Sequence, residues 1–395
     1  MMRVWLTGHF GAGNAGDEAL LSAVAAGAPE DASPVVLSAW HGRDRLHGLP
    51  CIQEPPLGPE ARSYRLVDGA GYWIRRWPRM LGERLRIRGC IHPCGGSLND
   101  HVPGRIVGKL QRVRAWRAFG CRKIGILGAG VDQCSPGADR DALLQLVEAV
   151  DHFSVRDTES VDRLVHMGAR REKIRAAADL AFALGSRASE VEDRADSLHT
   201  ATVGVSLRPL YVGAAERTGT AQREQRSRAF QQEARRMLTH LENMVDEVVL
   251  VPFSPADVPL LTDLGRICNI TVLSHSADPD KLMSIIGGLD LFVGMRFHSL
   301  VFSILCGVPS LPVANSTKVQ SLGRRLGWDM DPLSVGDGLF LPDQRFSAET
   351  VLDHVNIAWN KRNTLRRYSA EIAHESGATA SEDIASCWRT VCNGA

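Results

Sequence analysis

Residues 290–313 read DLFVGMRFHSLVFSILCGVPSLPV. Leu291–Gly294 is a short apolar run, the mark of a strand buried on both faces. Ser299–Cys306 is an apolar stretch of helical character, and Ser310–Val313 is a second short strand after Gly307 and Pro309. Strand, buried helix and strand in immediate succession form a crossover unit, which requires a parallel sheet.

The same alternation runs upstream. Thr202–Leu207 reads as a strand and Ala221–Met244 as a long amphipathic helix with Met237, Leu238, Leu241 and Met244 on one face. Strand Glu247–Val251, helix Asp257–Arg266, strand Ile270–Leu273 and helix Pro279–Leu289 complete a doubly wound unit. Downstream, Ala348–Arg367 and Ser369–Val391 read as closing helices.

A second such unit begins the chain. Its strands are expected at Val4–Thr7, Val35–Ser38, Leu66–Asp68, Lys123–Leu127, His152–Val155 and Ile174–Ala176, and its helices at Asp17–Ala26, Ile106–Phe119, Ala138–Ala149 and Thr158–Met167. The polar stretch Ser186–Thr200 between the two units reads as a linker. The expected organisation is therefore an N-terminal domain over 1–185, a linker over 186–200, a C-terminal domain over 201–345 and closing helices over 346–395. Two Rossmann-like α/β units facing a cleft describe a GT-B-like architecture, with ligands beyond the carboxyl ends of the strands.

The totals fit this plan. The chain has 395 residues, enough for two domains with full cores. A hydrophobic content of 44%, a charged content of 23% and a net charge of +1 are those of an ordinary globular protein and point to no polyanionic partner. Nine cysteines without regular spacing read as reduced thiols, which suits the cytoplasm. Met1–Gly8 has no signal-peptide character, and no apolar run reaches a membrane span.

Cations gather where the C-terminal strands end. Arg208 follows the strand Thr202–Leu207, Arg296 and His298 follow Leu291–Gly294, and Lys318 follows Ser310–Val313. Arginine offers a fork for carboxylate or phosphate, and histidine exchanges a proton near neutral pH. Any of them alone reads as a surface charge, an ion pair or a helix cap. Together they suit a small, multiply charged anion.

The N-terminal half supplies glycine turns. Gly8–Glu18 (GHFGAGNAGDE) passes from strand to helix, with Asp17 as a possible cap, and lacks the dinucleotide spacing. Pro93–Asp100 (PCGGSLND) is a second glycine turn, and Ser154–Ser160 (SVRDTES) puts Arg156 at a strand end. The stretch Arg75–Lys123 is rich in arginine, with Trp73, Trp77 and Trp116 interleaved. It reads either as a solvated helical face or as a surface for anionic lipid or a lipid-linked sugar diphosphate; nucleic acid ranks last.

These pieces resemble the polysaccharide pyruvyl transferase family. They are GNAGDEALL at Gly13–Leu21, CGGSLND at Cys94–Asp100, SVRDTES at Ser154–Ser160, AADLAFAL at Ala177–Leu184, GVSLRP at Gly204–Pro209, VPFSPAD at Val251–Asp257, and Ile285–Gly327. They follow the family's order. The acceptor-side pieces depart from the family form: Cys94 stands where a third glycine is usual, and Gly128–Gln133 (GAGVDQ) differs from the usual glycine-rich run.

The resemblance implies a GT-B-like fold, phosphoenolpyruvate as donor and a pair of sugar hydroxyls as acceptor. The product is then a cyclic pyruvate ketal with release of phosphate. Arg208, Arg296, His298 and Lys318 would form the donor site, with His298 as the acid. Asp17 and Arg156 would act in catalysis from the acceptor side, where Asn14, Gly95 and Gly96 would bind substrate. No metal and no cofactor beyond the phosphoenolpyruvate co-substrate is expected. The acceptor would be a sugar of a polysaccharide, exopolysaccharide or cell-wall precursor, lipid-linked in one version, with a peripheral contact at the inner face of the membrane. The rivals are a nucleotide-sugar glycosyltransferase on the same fold and a non-catalytic carbohydrate-binding relative.

Overall fold

The computed structural model describes residues 2–38, 45–53, 86–185, 201–209, 220–313, 316–328 and 346–393. The strand expected at Leu66–Asp68, the linker at 186–200 and the Trp73–Arg84 part of the basic stretch lie outside these residues. The chain divides into two compact units. The first holds Met1–Ala12, Ala19–Ala183 and Ala378–Ala395; the second holds Gly13–Glu18 and Leu184–Gly377.

In the first unit the strands are β1 (Met2–Thr7), β2 (Ala32–Ser38), β3 (Arg45–Leu46), β4 (Leu49–Gln53), β5 (Ile87–Pro93), β6 (Ser97–Leu98), β7 (Lys123–Val131), β8 (His152–Val155) and β9 (Arg175–Ala176). Their order is β3-β4-β2-β1-β5-β7-β8-β9, with β6 also paired to β7. All pairings are parallel except the small β3–β4 hairpin. The strand β7, KIGILGAGV, is buried from its second residue onward, as a strand covered on both faces must be. The helices are α1 (Ala15–Ala26), α2 (Arg105–Phe119), α3 (Ala138–Ala149) and α4 (Thr158–Met167), and the last three share one buried core with β7. The helix α2 buries Ile106, Leu110, Val113 and Trp116, spaced by three and four residues along one face. Asp157 caps α4 by accepting from Ser160 N at 2.7 Å, and Gly168 ends it in the left-handed region.

Strand β5 does not stand out in the sequence, because Arg88, Gly89, His92 and Pro93 break its apolar run. Its glycine has a packing reason, supplied by α11 (Arg362–Cys392). A β-carbon at Gly89 would lie 2.2 Å from Val391, and one at Gly125 on β7 would lie 2.3 Å from Cys387 Sγ. Trp388 Nε1 donates to Val24 O at 2.9 Å, and Asp383 accepts from Ser154 Oγ at 2.5 Å and meets His152 Nε2 at 2.9 Å.

The second unit contains β10 (Thr202–Ser206), α5 (Thr220–Glu242), β11 (Glu247–Leu250), α6 (Val258–Cys268), β12 (Thr271–Val272), α7 (Pro279–Ile286), β13 (Leu291–Gly294), α8 (Phe297–Leu305), β14 (Ser310–Pro312), α9 (Thr317–Arg325) and α10 (Ala348–Asn360). Its sheet runs β12-β11-β10-β13-β14, parallel throughout. Each unit is a doubly wound α/β layer, and the fold class is the GT-B-like one. The closing helices divide at Lys361, earlier than expected. No glycine or proline interrupts Arg362–Ser376, and Ser369 is buried within one continuous helix.

The chain leaves β10 toward β11 and β12, then returns to lay β13 on the other side of β10. That reversal is a topological switch point, where the loops beyond adjacent strands splay apart and leave room for a ligand. In the first unit the reversal lies between β1 and β5.

Candidate functional site

Four of the expected residues flank the switch point of the second unit. Arg208 lies just past β10 and is half-buried. Arg296 follows β13 and precedes α8, whose second residue is His298. Lys318 opens α9, after β14. Strands β10, β13 and β14 are neighbours, so these side chains come from one edge of the sheet. Two helix N-termini, of α8 and α9, add their partial positive charge. Phe297 links the members: its ring lies 5.4 Å from that of His298, edge to face, and Lys318 Nζ lies 5.9 Å from its centroid.

Arg296 is gripped from one side. Its Nε donates to Asp257 Oδ2 at 2.6 Å and its Nη2 to Asp257 Oδ1 at 2.5 Å. Asp257 is 0% exposed and Arg296 16%. Sequence reasoning assigned Asp257 no role, because its partner Arg296 stands 39 residues further along the chain.

The glycine segment Gly13–Glu18 belongs to this unit. Gly13 has φ +83°, a left-handed value that favours glycine, and a β-carbon there would meet Pro255 Cγ at 3.0 Å. His275, beyond β12, donates from Nε2 to Gly13 O at 2.8 Å; it too escaped sequence reasoning. Ala15 N donates to Phe253 O at 3.0 Å. Asn14 spans the first turn of α1: its Nδ2 donates to Asp17 Oδ2 at 2.8 Å and its Oδ1 accepts from Gly16 N at 3.2 Å. The imidazole of His298 lies directly on Gly16, where a β-carbon would come within 2.0 Å of Nδ1. Asn14, Asp17 and His298 thus share one neighbourhood.

Arg156, Gly95 and Gly96 lie in the first unit, past β8 and β5. Arg156 is 3% exposed and forms ion pairs with Asp157 at 3.6 Å and Asp179 at 3.7 Å. Its Nη1 reaches Gly95 O at 3.5 Å, and its guanidinium covers Gly130, where a β-carbon would lie 2.3 Å from Nη2. These contacts make Arg156 a brace between the glycine turn and the end of β8. Gly96 is exposed, and its carbonyl accepts from Cys94 Sγ at 3.5 Å.

Nearby, His92 on β5 meets Thr7 Oγ1 at 2.9 Å through Nδ1 and Lys109 Nζ at 3.2 Å through Nε2. Burial pushes its pKa well below the ordinary histidine value, and the charges of Lys109 and Arg112 push it further down. The neutral ring then accepts from Lys109 at Nε2 and donates to Thr7 from Nδ1. Among the described residues no group of three or more His, Cys, Asp or Glu forms a metal cluster, and no helix is long and apolar enough to cross a membrane.

The family model described as polysaccharide pyruvyl transferase matches residues 66–317, more than half of the chain. The match takes in Arg208, Asp257, Arg296 and His298; Asn14 and Asp17 precede it and Lys318 directly follows it. No curated protein matches the chain at a significant level. Among solved structures, a UDP-GlcNAc 2-epimerase from Neisseria meningitidis bound to UDP-GlcNAc superposes with a TM-score of 0.57 at 9% identity, covering 98% of this chain and 99% of that one. Anabaena Alr3699/HepE in complex with UDP and glucose gives 0.56 at 14% identity, over 98% and 99% of the two chains. A glycosyltransferase from Rickettsia africae ESF-5 gives 0.56 at 8% identity, over 99% and 98%. At such identities these likenesses speak to the fold.

Proposed function

We propose a reaction for this chain from what it is: it belongs to the polysaccharide pyruvyl transferase family. The donor is phosphoenolpyruvate, the acceptor is a sugar diol of a polysaccharide or lipid-linked precursor, and the products are a cyclic pyruvate ketal and phosphate. One observation carries this reading. Arg208, Arg296, His298 and Lys318 leave three neighbouring strands at the switch point of the second unit. Such a set holds the carboxylate and phosphate of a three-carbon acid without a large hydrophobic floor.

The cations neutralise the donor and draw electron density toward the phosphate. His298 delivers a proton to the methylene carbon, which becomes a methyl group and leaves C2 electrophilic. A sugar hydroxyl bonds to C2 and gives its proton to Asp17, held in place by Asn14. The C2–O bond to phosphate then breaks and phosphate departs with the bonding electrons. The second hydroxyl bonds to C2 and closes the ring. Two hydroxyl protons are released; one balances the proton taken up by the methyl group and the other leaves with phosphate. Gly95 and Gly96, braced by Arg156, serve the acceptor side. No cofactor enters the scheme.

Nine free thiols, eight of them buried, suit a reducing compartment, and we assign the reaction to the cytoplasm. The basic helix α2 exposes Arg105 and Arg114 and carries no acid, which suits a peripheral contact with anionic lipid. The rival on this fold is a glycosyltransferase that uses a nucleotide sugar.

The deciding experiment offers phosphoenolpyruvate with a panel of free and lipid-linked sugars and follows phosphate release. In parallel, UDP sugars are offered with the same panel. Phosphate release that depends on acceptor supports the proposal, and UDP release with phosphoenolpyruvate inert supports the rival. His298→Ala should lower turnover by about 10²–10⁴-fold with an unchanged melting curve. Near-normal turnover in that variant would remove His298 from the chemistry.

A further inference from the structure

Asp257 is a carboxylate with no access to solvent. Its position leads one to expect a helix cap, since it stands immediately before Val258 at the start of α6. It does not cap that helix: no α6 backbone N–H is bound by its side chain. Both oxygens are turned elsewhere. Oδ1 takes Arg296 Nη2, and Oδ2 takes Arg296 Nε and Phe253 N, the latter at 3.2 Å.

Burying such a pair is not explained by stability. A desolvated carboxylate and guanidinium recover from each other roughly what they lose by leaving water, and apolar replacements often serve as well. What the pair does supply is orientation. Two parallel N–H···O contacts fix the plane of the guanidinium and its rotation about the chain. They engage the Nε–Nη2 edge and leave Nη1, which among the described residues has no hydrogen-bond partner, on the opposite edge.

The surroundings repeat the theme. Phe253, whose N–H Asp257 accepts, receives Ala15 N at its carbonyl. Pro255 packs on Gly13. Two residues past Arg296, His298 lies on Gly16. The loop Phe253–Asp257 therefore touches both the glycine segment and the strand end that carry the proposed chemistry.

We infer that Asp257 is a positioning residue for the donor: it presents the free edge of Arg296 to the anion. It touches no substrate, because its oxygens are enclosed and occupied. This inference rests on the reading of the β10–β13–β14 edge as the phosphoenolpyruvate site.

The test uses the full chain and phosphoenolpyruvate itself. Calorimetry on the unaltered protein comes first: absence of binding there sinks the proposed function, not the assignment of Asp257 alone. Given binding, Asp257→Asn keeps the shape but turns an amide N–H toward a guanidinium. Asp257→Glu keeps the charge but shifts the fork by one methylene. Both should weaken phosphoenolpyruvate binding and raise its KM about tenfold or more. The KM for the acceptor and kcat at saturating donor should change less than about threefold. A carboxylate that merely holds the fold would, when replaced, lower kcat and the melting temperature and raise the KM of donor and acceptor together. Unchanged donor affinity in folded variants overturns the inference, and so does failure of both variants to fold, since Asp257 is then a determinant of the fold.

Discussion

A β-carbon at position 16 would come within 2.0 Å of His298 Nδ1, so the residue there determines where the imidazole sits. From sequence, glycine in a strand-to-helix turn suggests close approach by a ligand. The structure shows close approach by a histidine, a tertiary contact that no local pattern encodes. Gly16→Ala separates local propensity from site geometry. Within a helix alanine is favoured over glycine by about 1 kcal/mol, so α1 itself gains. Against that, the ring must retreat, and a displacement of about 1 Å at a reacting group costs on the order of 10²-fold in rate. We expect Gly16→Ala to lose about that much kcat with a melting temperature changed by only a few degrees. Activity within threefold of the original would mean that the imidazole has room to spare. The cations at 208, 296, 298 and 318 were legible because each follows an apolar strand. Asp257 and His275 were not, because their partners, Arg296 and Gly13, are far away in sequence.

At the scale of elements, the strands that read clearly are those apolar on both faces: β7, β10, β11, β13. Strand β5 escaped because its polar residues have particular partners, and His92 is the chief of them. Its ring joins β1, through Thr7, to α2, through Lys109, and packs 5.8 Å from Trp116. Burial lowers its pKa, followed by the neighbouring positive charges, so the folded chain keeps it neutral where the unfolded chain would protonate it. The unfolded state then binds the extra proton, and stability falls as pH drops below the unfolded value of about 6.5. The slope from this one group approaches about 1.4 kcal/mol per pH unit. Carboxylates held low, such as Asp151, act in a separate and more acid window, where stability is lost as pH falls through their folded values. Denaturant melts of the unaltered chain and of His92→Gln, taken from pH 7 to pH 5, should converge. The variant starts lower and shows the flatter slope. Parallel lines for the two proteins would show that His92 is not the titrating group.

For the whole molecule, the sequence permitted two doubly wound units but not the way the chain is shared between them. Ala15–Ala26 and Arg362–Cys392 each fold as one helix, yet each has residues in both units. The reason lies in packing partners rather than in periodicity. The last part of α11 is matched to the first unit by Gly89 and Gly125, which clear space for Val391 and Cys387, and by the contacts of Asp383 and Trp388. This makes the end of the chain a part of the first unit's core. Deleting residues from Ala378 onward would remove Ile384, Cys387, Trp388 and Val391, all buried, and expose the apolar face of the first unit that they cover. At about 1.5–3 kcal/mol for each large apolar side chain, the loss is comparable with the entire stability of a typical domain, about 5–15 kcal/mol. It would also leave His152 and Ser154 without their carboxylate partner. The shortened chain should therefore lose the cooperative melting of the first unit, with β5 and β7 becoming protease-sensitive while β10–β14 stay protected. Equal protection of both sets of strands after the deletion would show that the first sheet closes its core without α11.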